Sequence, residues 1–249
     1  MLSGKTILIT GASSGIGAAA ARIFAEEGAN LILAARRKDS LEEVKASLPQ
    51  AGSRIRVFAG DVADPGFAES SVGAAMETFG RLDGAFNNAG ILGDMGPVSD
   101  LSLENWNRVL ATNLTSAFLA ARHQIPAMAG SGGGSIVFTS TFVGHTIGLP
   151  GMSAYAASKA GLTGLTQVLA VEGGPQNIRV NALLPGGTKT GMAGDDPAFH
   201  DYVAGLHALK RMAEPEEIAR AALFLLSDAG SFVTGSAMLC DGGNSITKA

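Results

Sequence analysis

Short apolar runs recur along the chain, and most of them do not alternate with polar residues. They cover residues 6–10, 31–34, 55–59, 82–86, 135–139, 178–184 and 237–239. Runs of this kind suit strands covered on both faces, as in a parallel sheet. Between them lie segments rich in helix formers: 15–27, 40–48, 67–79, 103–128, 152–171 and 216–226. Strands alternating with helices predict βαβ units with right-handed crossovers. The expected fold is α/β, a doubly wound, mostly parallel seven-stranded sheet with helices on both faces. No repeat and no Pro/Ser-rich linker divides it, so 1–249 is expected to form a single domain. Residues 188–214 have weak periodicity and several small or polar side chains, which marks a candidate substrate lid.

Composition narrows the function classes. The formal net charge is −4 and no basic block stands out, so a nucleic-acid partner is not expected. Cys240 is the single cysteine, so no internal disulfide can form, which fits a cytoplasmic protein. The first five residues run straight into a strand-like segment without the apolar stretch of a signal peptide. No apolar run approaches the length of a membrane span.

The turn after the first strand reads Thr10-Gly11-Ala12-Ser13-Ser14-Gly15-Ile16-Gly17. Between strand and helix, this is where a doubly wound (Rossmann-like) sheet binds a pyrophosphate. Glycines let the backbone turn sharply, and the helix N-terminus offers N–H groups and partial positive charge. The spacing is G-x-x-x-G-x-G, so the general G-x-G-x-x-G fingerprint is not met literally. The second strand ends in Ala35-Arg36-Arg37-Lys38, with no acid to accept from a ribose 2′-hydroxyl. Arg36, helped by Arg37, could pair with a 2′-phosphate, which favours NADP(H) and leaves NAD(H) as the other candidate. Asp61-Val62 follows the third strand and suits adenine contacts, but the same segment equally suits a helix start.

Tyr155 and Lys159 stand four apart in a helix-forming segment and so share one face. A neighbouring cation should lower the tyrosine's pKa and make Tyr155 a general acid or base for a carbonyl oxygen. Ser140 and Thr141 follow the fifth strand, where a hydroxyl could hydrogen-bond the substrate oxygen. Asn113 lies inside a long helical pattern, where an amide is a poor helix former. It could hold a local distortion or a relay water, but periodicity alone favours ordinary helix polarity.

Together these residues resemble the short-chain dehydrogenase/reductase family over essentially the whole chain. The motifs fall in order: 10–17, Asp61-Val62, 87–90, Asn113, 155–159, Pro185-Gly186 and 241–243. The resemblance implies that Tyr155 is the catalytic acid/base and that Lys159 holds the nicotinamide ribose and lowers the tyrosine pKa. It implies that Asn113 positions a relay water. It places Gly11, Ser13, Ser14, Gly15, Ile16, Gly17, Asn87, Ala89, Gly90, Pro185, Gly186, Thr188 and Thr190 along the cofactor, and it implies a homotetramer. No metal is expected.

The family usually has Ser-Ser where this chain has Ser140-Thr141, and Thr141 is fourteen residues before Tyr155 instead of about thirteen. Thr141 is slightly favoured as the substrate-orienting hydroxyl, with Ser140 the alternative. The substrate wall is expected from 142–152, Gly187 and 188–214, with His145, His200 and His207 as polar candidates. The chain is similar to the 3-oxoacyl-carrier-protein reductase type. Yet the turn at 129–135 is uncharged, which favours a free small carbonyl or alcohol over an acidic carrier protein. A dinucleotide-binding sensor without catalysis is the alternative from another class, and the intact Tyr155, Lys159 and Asn113 argue against it.

Overall fold

A computed structural model describes residues 1–247. Its strands are β1 (Thr6–Thr10), β2 (Asn30–Ala35), β3 (Ile55–Ala59), β4 (Gly84–Asn87), β5 (Gly134–Thr139), β6 (Ile178–Pro185) and β7 (Ala237–Cys240). They form one seven-stranded sheet in the order β3-β2-β1-β4-β5-β6-β7, and every neighbouring pair is parallel. The helices are α1 (Gly15–Glu26), α2 (Lys38–Ala46), α3 (Phe67–Phe79), α4 (Leu103–Leu110), α5 (Ser116–Gly130), α6 (Ser153–Gly173), α7 (Pro197–Leu206) and α8 (Pro215–Leu226). This is the Rossmann-like α/β architecture expected from the sequence.

The absence of alternation in the strands has a direct cause. In β1, Ile7 and Ile9 enter one core layer with α1 and α8, while Leu8 enters the other with α3, α5 and α6. Leu31 and Leu33 of β2 likewise face the first layer, and Ile32 and Ala34 the second. Both sets of alternate side chains are buried, so both read as apolar. Chain order reverses between β1 and β4, and the C-terminal ends of these strands flank the crevice where such sheets bind ligands.

The long helix expected over 103–128 is two helices joined by a π-helical turn at Ala111–Thr115. The apolar pattern runs through the junction, so periodicity did not expose it. β4 starts at Gly84, not at residue 82, because Asp83 is engaged sideways: its carboxylate accepts from the Thr6 N–H at 2.8 Å and pairs with Arg81. Within 188–214 lies α7, started by Asp196, whose carboxylate accepts from Ala198 N–H, and by Pro197 in the first turn. No residue of α7 is fully buried, which explains its weak apolar signal. α8 opens with a reciprocal capping box between Glu214 and Glu217 and with Pro215 behind the cap. No helix among the described residues is long and apolar enough to cross a membrane.

Candidate active site

The glycine-rich turn is shaped by close approach. Gly15 has φ +52°, a left-handed conformation that disfavours other residues. A Cβ on Gly17 would collide with the Gly11 carbonyl oxygen, so only glycine lets α1 seat against the turn. Ser14 caps α1 without a side-chain hydrogen bond, and the first turn of the helix holds no acid. Its N–H groups and partial positive charge are therefore free of a local anion. Thr190 packs on this turn: a Cβ on Gly15 would lie 3.0 Å from its Cγ2. A recess of about 400 Å³ lies here, lined by Gly15, Ala18, Arg22 and residues 189–191 among others. Arg22 and Lys189 line this recess together with Asp195.

The ends of three strands are stitched together beside the turn. Thr10 Oγ1 accepts from the N–H groups of Asn88 (3.0 Å) and Ala89 (3.1 Å), and the Thr139 hydroxyl donates to Asn88 Oδ1 at 3.2 Å. Asn87 is buried and exchanges two hydrogen bonds with Gln124 of α5, at 2.9 and 3.0 Å. Its side chain is thus occupied inside the protein, and what 87–90 presents to the crevice is backbone. Gly90 lies against Asn113 and Lys159, each 3.2 Å from where its Cβ would be.

Asn113 is 2% exposed, inside the π-helical turn. Its Oδ1 accepts from the Ile91 N–H at 2.8 Å, and its Nδ2 donates to the Ile91 carbonyl (2.9 Å) and to Ser158 Oγ (3.0 Å). Of the readings open from the sequence, local distortion describes this geometry and ordinary helix polarity does not. Ser158, unflagged in the sequence reading, donates in turn to the Tyr155 carbonyl at 2.7 Å, linking Asn113 to the tyrosine's own helix turn.

Lys159 is buried, and its Nζ donates to the Thr139 carbonyl at 2.6 Å. It also lies 5.9 Å from the centre of the Tyr155 ring. Burial lowers the Lys159 ammonium from 10.5 to about 8. Burial pushes the Tyr155 phenol up to about 12, and the hydrogen bond with Thr141 pulls it back only in part. The expectation that the lysine would lower the tyrosine's pKa is therefore corrected. Desolvation of the buried phenol is the largest cause, and only the Thr141 hydrogen bond opposes it. Tyr155 keeps its proton at neutral pH, which suits an acid that donates to a carbonyl oxygen.

The two hydroxyls after β5 are used differently. Ser140 Oγ donates to the Lys159 carbonyl at 2.8 Å and is buried there. Thr141 meets the Tyr155 phenol. Around the sheet's edge, Arg36 and Arg37 stand exposed between β2 and α2. The Asp61 carboxylate accepts from Ala63 N–H at 3.0 Å, and the cap of α3 is Gly66, so Asp61 shapes the loop and does not cap the helix. Pro185 ends β6, and Thr188 bridges to Ala213 beside it. Of the histidines named for the substrate wall, His145 is exposed, while His207 is buried against the Gly187 backbone.

A family model described as Enoyl-(Acyl carrier protein) reductase matches residues 11–245. The chain is 38% identical over 239 residues to a cyclohexanol dehydrogenase of Acinetobacter sp. (strain SE19), across 96% of this chain and 94% of that protein. It is 40% identical over 247 residues to a 2,5-dichloro-2,5-cyclohexadiene-1,4-diol dehydrogenase of Sphingobium indicum, across 97% of each. A solved structure of 3-ketoacyl-(acyl-carrier-protein) reductase from Brucella melitensis, complexed with NADH, superposes with a TM-score of 0.93 at 30% identity, covering 99% of this chain and 100% of that one. The chain belongs to the short-chain dehydrogenase/reductase family. It is an NAD(P)-dependent oxidoreductase of that type and binds a dinucleotide.

Proposed function

We propose that the chain interconverts a small alcohol and its carbonyl compound, with Tyr155 as general acid and base and NADP(H) as the preferred cofactor. The observation that carries this reading is the convergence of Tyr155, Thr141 and Lys159 at the end of β5, beside the glycine-rich turn. When bound, the nicotinamide donates or accepts the hydride. In reduction, the Tyr155 phenol gives its proton to the carbonyl oxygen as that carbon gains hydride. In oxidation, it takes the alcohol proton back. Thr141 orients the substrate oxygen, with Ser140 tied to the lysine backbone in support. Lys159 holds the ribose hydroxyls, and Asn113 fixes the segment that carries a relay water.

Gly11, Ser13, Ser14, Gly15, Ile16 and Gly17 hold the phosphates; Asp61 and Val62 take the adenine. Ala89, Gly90, Pro185, Gly186, Thr188 and Thr190 flank the nicotinamide half, with Asn87 supporting them from below. Arg36, assisted by Arg37, meets a 2′-phosphate. The whole of 1–249 works as one catalytic unit, and 188–214 closes over the substrate.

Ring alcohols and ring ketones come first as substrates, since two relatives carry ring-alcohol names. The carrier-protein reading has the family description and one structural neighbour behind it, while the uncharged turn at 129–135 counts against an acidic carrier. A panel of cyclic and linear alcohols and ketones, plus an acyl-carrier thioester, run with NADPH and NADH tests these assignments. Turnover of a ring substrate with NADPH ahead of NADH, the preference lost in Arg36→Ala, is expected. Saturation by the thioester at low micromolar carrier would overturn the small-substrate reading, and an NADH preference the cofactor reading.

A further inference from the structure

His207 closes α7, yet it is buried to 2%, against the Gly186–Gly187 turn and Gly242. Its Nδ1 lies 2.7 Å from the Val203 carbonyl, and its Nε2 accepts from the Gly187 N–H at 3.0 Å. A carbonyl only accepts, so Nδ1 carries the proton and Nε2 presents a lone pair. The two contacts therefore specify one form of the ring, neutral and protonated on Nδ1.

The backbone around the ring is glycine where a side chain would strike it. A Cβ on Gly186 would lie 2.8 Å from Nε2, one on Gly187 2.4 Å from Val203 Cγ1 and 2.9 Å from the ring's Cε1, and one on Gly242 3.3 Å from Cδ2. Gly187 is held on its other side too, since its carbonyl accepts from the Ala213 N–H at 2.9 Å. Residue 213 also accepts from the Lys189 N–H at 2.9 Å, which draws the two limbs of 188–214 together at the neck. Both backbone groups of Gly187 are thus taken by the returning limb of the lid, and one of the two anchors is a buried ring.

We infer that His207 is a positioning residue for the dinucleotide: it latches the end of the lid helix onto the Gly186–Gly187 turn and fixes the backbone that flanks the nicotinamide. It touches neither substrate nor the reacting atoms. The inference rests on the proposed placement of Pro185, Gly186 and Thr188 beside the cofactor. His207→Leu keeps the bulk and removes the acceptor. His207→Gln keeps an acceptor and a donor. Gly187→Ala leaves the histidine intact and pushes the turn off the helix end, away from both Val203 and the ring.

The experiment measures KM for NADPH, kcat and hydrogen exchange of the segment 185–190 in the wild type and these three variants. His207→Leu and Gly187→Ala are expected to raise KM for NADPH about tenfold, equivalent to about 1.4 kcal/mol, with a smaller change in kcat and faster exchange at 185–190. His207→Gln is expected to return both readouts close to the wild type. If His207→Leu does not fold, Gly187→Ala carries the same comparison. Wild-type KM in folded Leu or Ala variants overturns the inference, whether or not exchange quickens, as does unchanged exchange. A wild type that turns over no substrate with either cofactor defeats the proposed function instead, and unchanged exchange in the variants still defeats the latch on its own.

Discussion

At the scale of single residues, the site is governed by burial. Lys159 sits at about 8 in the folded protein against 10.5 for a free side chain, a difference worth on the order of 3 kcal/mol. Because the folded value is the lower one, the unfolded chain binds more protons between pH 8 and 10.5, so stability rises with pH across that window. Tyr155 acts in the opposite sense, but only above its ordinary 10.0, where the fold retains the proton up to about 12. Urea unfolding from pH 7.5 to 9.5 should therefore gain stability in the wild type relative to Lys159→Met. A flat difference across that range contradicts a buried, neutral-preferring lysine. The hydroxyl pair separates as cleanly. Thr141→Val should lower kcat about a hundredfold, the loss expected for one donor at a reacting oxygen. Ser140→Ala should act chiefly on stability, through loss of its buried hydrogen bond to the Lys159 carbonyl. The reverse ranking in turnover would move the orienting role to Ser140. Sequence spacing brought Tyr155 and Lys159 together because i and i+4 share a helix face whatever the tertiary structure. Their pKa values were not legible, since desolvation depends on what covers the pair from β5 and the loop after it.

At the scale of elements, two helix ends carry the site. α1 meets the glycine-rich turn so closely that Gly17→Ala has no room for its methyl group against the Gly11 carbonyl. This variant should melt lower and bind NADPH at least about tenfold more weakly, a change of about 1.4 kcal/mol. Calorimetric titration at wild-type affinity would contradict the assigned cradle. The π-helical turn between α4 and α5 is held by Asn113 through both backbone groups of Ile91. The sequence marked Asn113 as a poor helix former, and a polar residue in an apolar helical stretch was the available signal. Ser158 and Gln124 left no such mark, and His207 was marked only as a polar candidate for the substrate wall, not as a backbone anchor. Each is an ordinary residue for its position, and its partner (Asn113, Asn87 and Gly187 respectively) is 45, 37 and 20 residues away. The strands were legible for the opposite reason: burial on both faces prints a continuous apolar run on the sequence itself. α7 was missed because all its residues keep some exposure, although Asp196-Pro197 is a sound helix start.

At the scale of the whole molecule, the sheet order reverses between β1 and β4, and β5, whose end carries the proposed hydroxyl, pairs directly with β4. The outer surface bears on assembly. α5 and α6 each send part of their apolar residues inward, among them Ala117, Ala121, Leu162 and Ala170. Phe118, Val168 and Val171 remain on the surface at 52%, 56% and 79% exposure. Exposed apolar side chains gathered on two helices support the homotetramer as a proposal. Light scattering should give four times the chain mass of 25.2 kDa, and Val171→Asp should lower it. A monomer in the wild type would contradict it.

The central claim is that Tyr155 moves the proton while the dinucleotide moves the hydride. The most direct measurement compares the wild type with Tyr155→Phe for NADPH binding and for turnover of a ring ketone that the wild type reduces. The account predicts a fall in kcat of at least about a hundredfold with NADPH affinity nearly unchanged. Turnover within a few-fold of the wild type would contradict it.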